Sequence, residues 1–80
     1  MSSLQKLQAA FVSAIGVPET VNFDTLAYGD TSGWDSIAHM RLINEIESAF
    51  DIMIDTEDVI DMSSFGKAKE IIGKYGVALS

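Results

Sequence analysis

Ser36 and His39 are the side chains whose types and spacing first suggest chemistry in this sequence. Three residues apart on a predicted helix, they share a face, and a hydroxyl beside an imidazole is half of a nucleophilic machine. A hydrolase needs a third group to orient the imidazole, oxyanion donors and a cleft around all of them. No Gly-x-Ser-x-Gly turn surrounds Ser36 in "TSGWDSIAHMRL", and His39 reads as a solvated helix residue. Metal chemistry also fails on spacing. Counted from Asp51 as a calcium loop, the third, sixth and twelfth positions are Met53, Thr56 and Met62, where an oxygen ligand, a glycine and a glutamate are required. One histidine and no cysteine leave zinc without ligands. Gly29 and Gly33 fit no phosphate-cradling pattern. The expectation is a protein that is not an enzyme and holds no metal.

What remains is Ser36 as the acceptor of another protein's chemistry. It stands where a turn-rich loop becomes an apolar-periodic segment, just behind Asp35. Asp35 can cap the first turn and leave the Ser36 hydroxyl free. Backbone N–H groups and the positive dipole end at a helix start favour an attached phosphodiester. The plainer alternative is an unmodified acidic helical adaptor in which Ser36 is only a cap. Local physics permits both.

The elements that must position Ser36 follow from periodicity. Leu4, Leu7, Phe11, Ala14 and Ile15 have helical spacing, with Ser2 or Ser3 to cap them and Gly16 and Pro18 to stop them. Residues 18–33 carry turn formers and no sustained period; Val21, Phe23, Leu26, Tyr28 and Trp34 are the anchors that lay this long loop on a core. A second helix starts at Asp35 or Ser36 and reaches about Phe50, its apolar band partly surfacing near the start. A loop through Ile52 and Ile54 leads to a short helix from Thr56, and Ser63 or Ser64 caps a last helix burying Phe65, Ala68, Ile71, Ile72 and Tyr75, with Gly73 and Gly76 at its end. This is an all-α, small four-helix bundle of three main helices and one short one, with a long loop between the first and second.

Eighty residues, 48% of them hydrophobic and none cysteine, are expected to form one domain over 1–80, held by packing alone and too small for a deep cleft. The N-terminal segment is broken by Gln5, Lys6 and Gln8, so no signal peptide or membrane span is expected, and the cytoplasm is the expected location. The net charge of −7 arises between Asp35 and Asp61, where eight acids face one arginine, Arg41. Such a field repels nucleic acid and suits partners with basic patches.

The stretch "GWDSIAHMRLINEIESAF" resembles the Asp-Ser-Leu motif and second helix of acyl carrier proteins. The likeness extends along nearly the whole chain, through the acidic "FDIMIDTEDV" passage to the "SSFGKAKEII" helix. It implies that Ser36, flanked by Asp35 and Ile37, carries 4′-phosphopantetheine delivered from coenzyme A by a phosphopantetheinyl transferase working with magnesium. The reactive thiol would then belong to the prosthetic group, and a monomeric chain would present acyl thioesters to acyl-carrier ligase, ketosynthase or acyltransferase enzymes with basic docking patches. Glu45, Glu47, Asp55, Glu57 and Asp58 correspond to the partner-recognition face. Met40, Ile43, Ile46, Ile54, Val59, Ile60, Met62 and Phe65, ordinary core in any bundle, also correspond to the space that can open around an acyl chain. The sequence departs from the housekeeping pattern in Ala38-His39-Met40-Arg41, where acids are usual, and in the bulk of Trp34. Trp34, His39, Met40 and Arg41 are therefore expected to face partners and select them, in a stand-alone bacterial carrier serving polysaccharide, lipopolysaccharide or secondary-metabolite acylation. A peptidyl or aminoacyl carrier is the near alternative; paired glycines before the serine are commoner there, and Gly33-Trp34 breaks that pattern.

Overall fold

The structure, a computed structural model, describes residues 2–79. Helix α1, Ser3–Ile15, opens on a capping box: Ser2 Oγ accepts from the Gln5 N–H at 3.1 Å and Gln5 Oε1 accepts from the Ser2 N–H at 3.0 Å. Gly16, at φ 84°, turns the chain out of it. Helix α2 spans Ser36–Phe50, α3 Thr56–Asp61 and α4 Phe65–Lys74. No strand occurs among the described residues; Ala27 and Ser64 form one isolated bridge. The long first loop contains a single 3-10 turn, Phe23–Thr25, which no periodicity announces because three residues are too few to carry one.

The core lies between α1, α2 and α4. Leu7, Phe11, Leu42, Ile46, Met62 and Ile72 are fully buried, and the loop contributes Trp34 and Leu26. Phe11 is the aromatic hinge of this packing: Trp34 meets it edge-on at 5.4 Å and Phe65 at 5.0 Å. Such pairs add about 0.5–1.5 kcal/mol each beyond the area they bury.

The loop that delivers Ser36 is built from tight turns. The Ala27 N–H donates to Thr31 Oγ1, the Thr31 N–H returns to the Ala27 carbonyl, and the Trp34 N–H donates to the Thr31 carbonyl. The Tyr28 N–H reaches across to the carbonyl of Ser63, which ties the loop to the entry of α4. Gly33 carries the tightest constraint. Its φ is 89°, and a Cβ there would lie 2.7 Å from the carbonyl oxygen of Ile15. The end of α1 and the start of α2 approach each other through a gap that admits only glycine.

Gly29 supplies an internal comparison, since its φ of 86° is similar but open space surrounds it. Gly29→Ala should cost about 1 kcal/mol for the left-handed backbone. Gly33→Ala should cost at least about 1 kcal/mol more, because the backbone of α1 must also move. Urea denaturation of both variants measures the difference, and equal losses would remove the Ile15 contact from the energetics.

Candidate functional site

Ser36 is the first residue of α2 and is exposed. The N-cap is Asp35, whose Oδ1 accepts from the Ala38 N–H at 2.9 Å while its carbonyl accepts from the His39 N–H at 2.8 Å. The Ser36 hydroxyl therefore has no capping work, and among the described residues it makes no hydrogen bond. Tyr28, Gly29, Thr31, Ser32 and Gly33 line an open depression beside it. A substituent on Ser36 Oγ meets solvent there, next to N–H groups of the first turn that Asp35 leaves unclaimed. Ile37 and Met40 are exposed on the same end of α2, and Arg41 is exposed as well.

Trp34 and His39 do not face outward, which corrects their assignment to a partner-facing surface and the reading of His39 as solvated. Trp34 is 2% exposed and His39 9%. Trp34 Nε1–H donates to His39 Nδ1 at 2.9 Å, and His39 Nε2 lies 2.7 Å from the carbonyl oxygen of Val59. An indole N–H can only donate, so Nδ1 accepts and the proton sits on Nε2, donated to Val59. Both ring nitrogens are committed, and no catalytic dyad with Ser36 exists. A signal for this burial was present: His39 falls three, four and seven residues before Leu42, Ile43 and Ile46, on the core stripe of α2.

The acidic surface is likewise corrected in part. Asp58 is 8% exposed, where a partner-facing carboxylate was expected. Its Oδ1 accepts from Lys74 Nζ and its Oδ2 from the Tyr75 hydroxyl, both at 2.6 Å; the Tyr75 oxygen in turn accepts from the Asp55 N–H at 2.9 Å. The hydrogen bond from Lys74, then that from Tyr75, holds the Asp58 carboxyl below the usual carboxylate range against the opposing effect of burial. The bond to Asp58 raises Lys74 correspondingly. For Tyr75 the Asp55 N–H pulls downward, but the bond to Asp58, burial and the nearby carboxylates leave it raised. Glu47 also has an internal role, its Oε2 accepting from the Ile54 N–H at 2.9 Å, and half-buried Glu45 lines a groove between α1 and α2 with Lys6 and Ala9. Asp55 and Glu57 remain exposed.

The residues expected around an acyl chain divide by burial, with Val59 half-buried between two groups. Ile43, Ile46, Ile54, Met62 and Phe65 are buried in the core, whereas Met40 is 52% and Ile60 74% exposed. Tyr28, His39, Val59, Ile60, Met62 and Ser63 line a groove of about 250 Å³ between α2 and α3. Tyr28 borders both this groove and the depression at Ser36. Among the described residues no group of acids and histidines is arranged to hold a metal ion, and no helix is long and apolar enough to cross a membrane.

Residues 5–72 match the family model described as a phosphopantetheine attachment site, a span that includes Ser36 and all four helices in whole or in part. No solved structure matches the chain.

The Asp58 cluster fixes a pH dependence. A lowered carboxyl contributes stability that is fully present above its unfolded value of about 3.9 and lost as pH falls through the folded value. Raised Lys74 and Tyr75 contribute below about pH 10 and lose that contribution as pH rises further. Thermal denaturation should show a plateau through neutral pH with losses on both sides. Asp58→Asn should lower the neutral plateau and flatten the acid limb relative to wild type. Parallel acid limbs in the two proteins would disconnect Asp58 from acid sensitivity.

Proposed function

The chain belongs to the phosphopantetheine attachment site family, and we propose that it is an acyl carrier protein whose attachment residue is Ser36. Domains of this family are carriers rather than catalysts; they take 4′-phosphopantetheine from a phosphopantetheinyl transferase and serve acyl-handling enzymes. When bound, the group supplies a flexible arm ending in a thiol that holds cargo as a thioester.

The residues at the start of α2 fit such a group. The observation that carries the reading is the division between Asp35 and Ser36: the aspartate satisfies the first turn, and the exposed serine hydroxyl is left uncommitted. Asp35 fixes the helix start, Gly33 and Trp34 fix the approach to it, and Ser36 Oγ is presented outward. Unclaimed N–H groups at the helix start favour the negative charge of a phosphodiester. The apolar groove bordered by Tyr28, Val59 and Ile60 supports an acyl rather than an aminoacyl cargo.

Exposed Ile37, Met40 and Arg41 form the face that a partner enzyme meets around Ser36. Ala38 is 7% exposed, so its methyl adds little to this face. Arg41 is thus the charge that distinguishes this face, and it supports a carrier for a dedicated polysaccharide, lipopolysaccharide or secondary-metabolite pathway in place of general fatty-acid synthesis. It repels the basic docking patches that the remaining acids attract.

Incubation with coenzyme A, magnesium and a broad-specificity transferase should add the mass of one phosphopantetheine to the wild type and nothing to Ser36→Ala, which should fold normally because the side chain is exposed. Absence of any gain with several transferases would overturn the carrier reading. Arg41→Glu should raise the rate of acyl loading by fatty-acid enzymes by about two- to tenfold at low salt, with the gain fading as salt screens it. An unchanged rate would place selectivity in another residue.

A further inference from the structure

We infer that His39 is a latch against cargo burial: by bonding α2 to the Val59 carbonyl it holds α3 closed and keeps any acyl chain tethered at Ser36 in the outer groove, out of the core. The inference rests on the carrier reading above and adds a residue that decides whether cargo is sheltered.

The argument begins with α3. Six residues make too short a helix to hold itself, and its buried side chain is Asp58, with Val59 half-buried. Polar contacts hold it at two places. Toward α4, Asp58 is gripped by Lys74 and Tyr75, and Tyr75 also takes the N–H of Asp55. Toward α2, His39 takes the carbonyl of Val59. That carbonyl would bond the N–H of Ser63 if the helix continued, but the Ser63 N–H turns to Asp61 at 2.8 Å, so Val59 is an orphan of the helix end that His39 satisfies.

His39 and Met62 are the buried walls of the groove, and Tyr28 and Ile60 are its exposed rims. Behind the buried walls lies the apolar interior of Leu42, Ile43, Ile46 and Phe65. A chain entering from the Ser36 side reaches that interior only by separating α3 from α2. Separation strips Val59 of its donor and strands a buried imidazole N–H, which disfavours the open state by about tenfold or more. The groove outside the latch is about 250 Å³ and open on one side, less than the roughly 300–1,000 Å³ that encloses a drug-sized ligand. Trp34 stiffens the latch by occupying His39 Nδ1, which fixes the tautomer that donates to Val59.

Two variants separate the latch from mere packing, and a third controls for loading. His39→Leu keeps bulk and removes both hydrogen bonds, His39→Gln offers an acceptor and a donor in their place, and Ser36→Ala reports loading. Wild type and the two His39 variants are loaded with butanoyl-, octanoyl- or dodecanoyl-phosphopantetheine from the corresponding coenzyme A thioester, verified by intact mass with Ser36→Ala as the unloaded control, and the thioester is cleaved with hydroxylamine. Wild type should lose all three at rates within about twofold of each other, since none is sheltered, whereas His39→Leu should slow octanoyl and dodecanoyl cleavage about five- to tenfold relative to butanoyl. His39→Gln should behave as wild type. In the unloaded proteins, the indole N–H of the single tryptophan should exchange with deuterium at least about tenfold faster in His39→Leu than in wild type. Strong protection of long chains in wild type would overturn the latch whether or not His39→Leu folds. Equal cleavage of all chains in a folded His39→Leu would also overturn it. Failure of wild type to load at all would instead overturn the carrier reading, and the latch with it.

Discussion

The buried indole of Trp34 is the constraint on which the site is built. Its ring is held in the core against Phe11, and an N–H carried to that depth must find an acceptor or lose its hydration without compensation. His39 provides one, and because it accepts on Nδ1 it must donate from Nε2. The obligation passes from the loop to α2 and then to α3, ending on a carbonyl that the short helix could not satisfy itself. Ser36 lies between Trp34 and His39 in sequence. Both flanks of the serine are thereby fixed to the core while its own side chain points out.

The four helices are held by different physics. Interdigitated apolar side chains hold α1, α2 and α4 together, a contact that loosens only when much of it loosens. By contrast α3 depends on a few hydrogen bonds and one charged cluster, so it is the element with least to lose by moving. The groove next to the serine is formed where the rigid and the polar parts meet. On the latch proposed above, its capacity is set by hydrogen bonds at the margin of α3 more than by the volume of the core.

Elements carried by short-range rules were legible in the sequence. Helix limits were legible to within a residue: of Ser2 or Ser3, Asp35 or Ser36, and Ser63 or Ser64, the caps are Ser2, Asp35 and Ser64, and Gly16 ends α1 as expected, each acting within a few residues of where it sits. Pairings across the fold were less legible. That Asp58 meets Lys74 and Tyr75 depends on how α3 lies against α4, and among several similar acids no local pattern marks it out. His39 is the instructive case, because its position on the α2 stripe indicated burial while its polarity and the resemblance to acyl carrier proteins suggested solvent. The stripe was the better guide: position on a helix face decides burial first, and a polar side chain found there must then be matched with partners. The tight turn at Gly33 was legible only as a turn residue, since its need for closeness arises from Ile15, which is near in space and distant in sequence.

The separation of capping from acceptance is the last consequence of this geometry. A serine that capped α2 itself would lose freedom at the oxygen to be modified, and derivatising it would disturb the helix start. A cap is worth about 1 kcal/mol to its helix, which is a large fraction of what a domain of this size can spare. With Asp35 accepting from Ala38, the first turn keeps its hydrogen bond whatever becomes of Ser36. Were Ser36 derivatised as proposed, the unmodified and modified proteins could share one helix start and one backbone. A carrier that meets many enzymes in turn needs that invariance, because each must recognise the same surface while only the cargo changes.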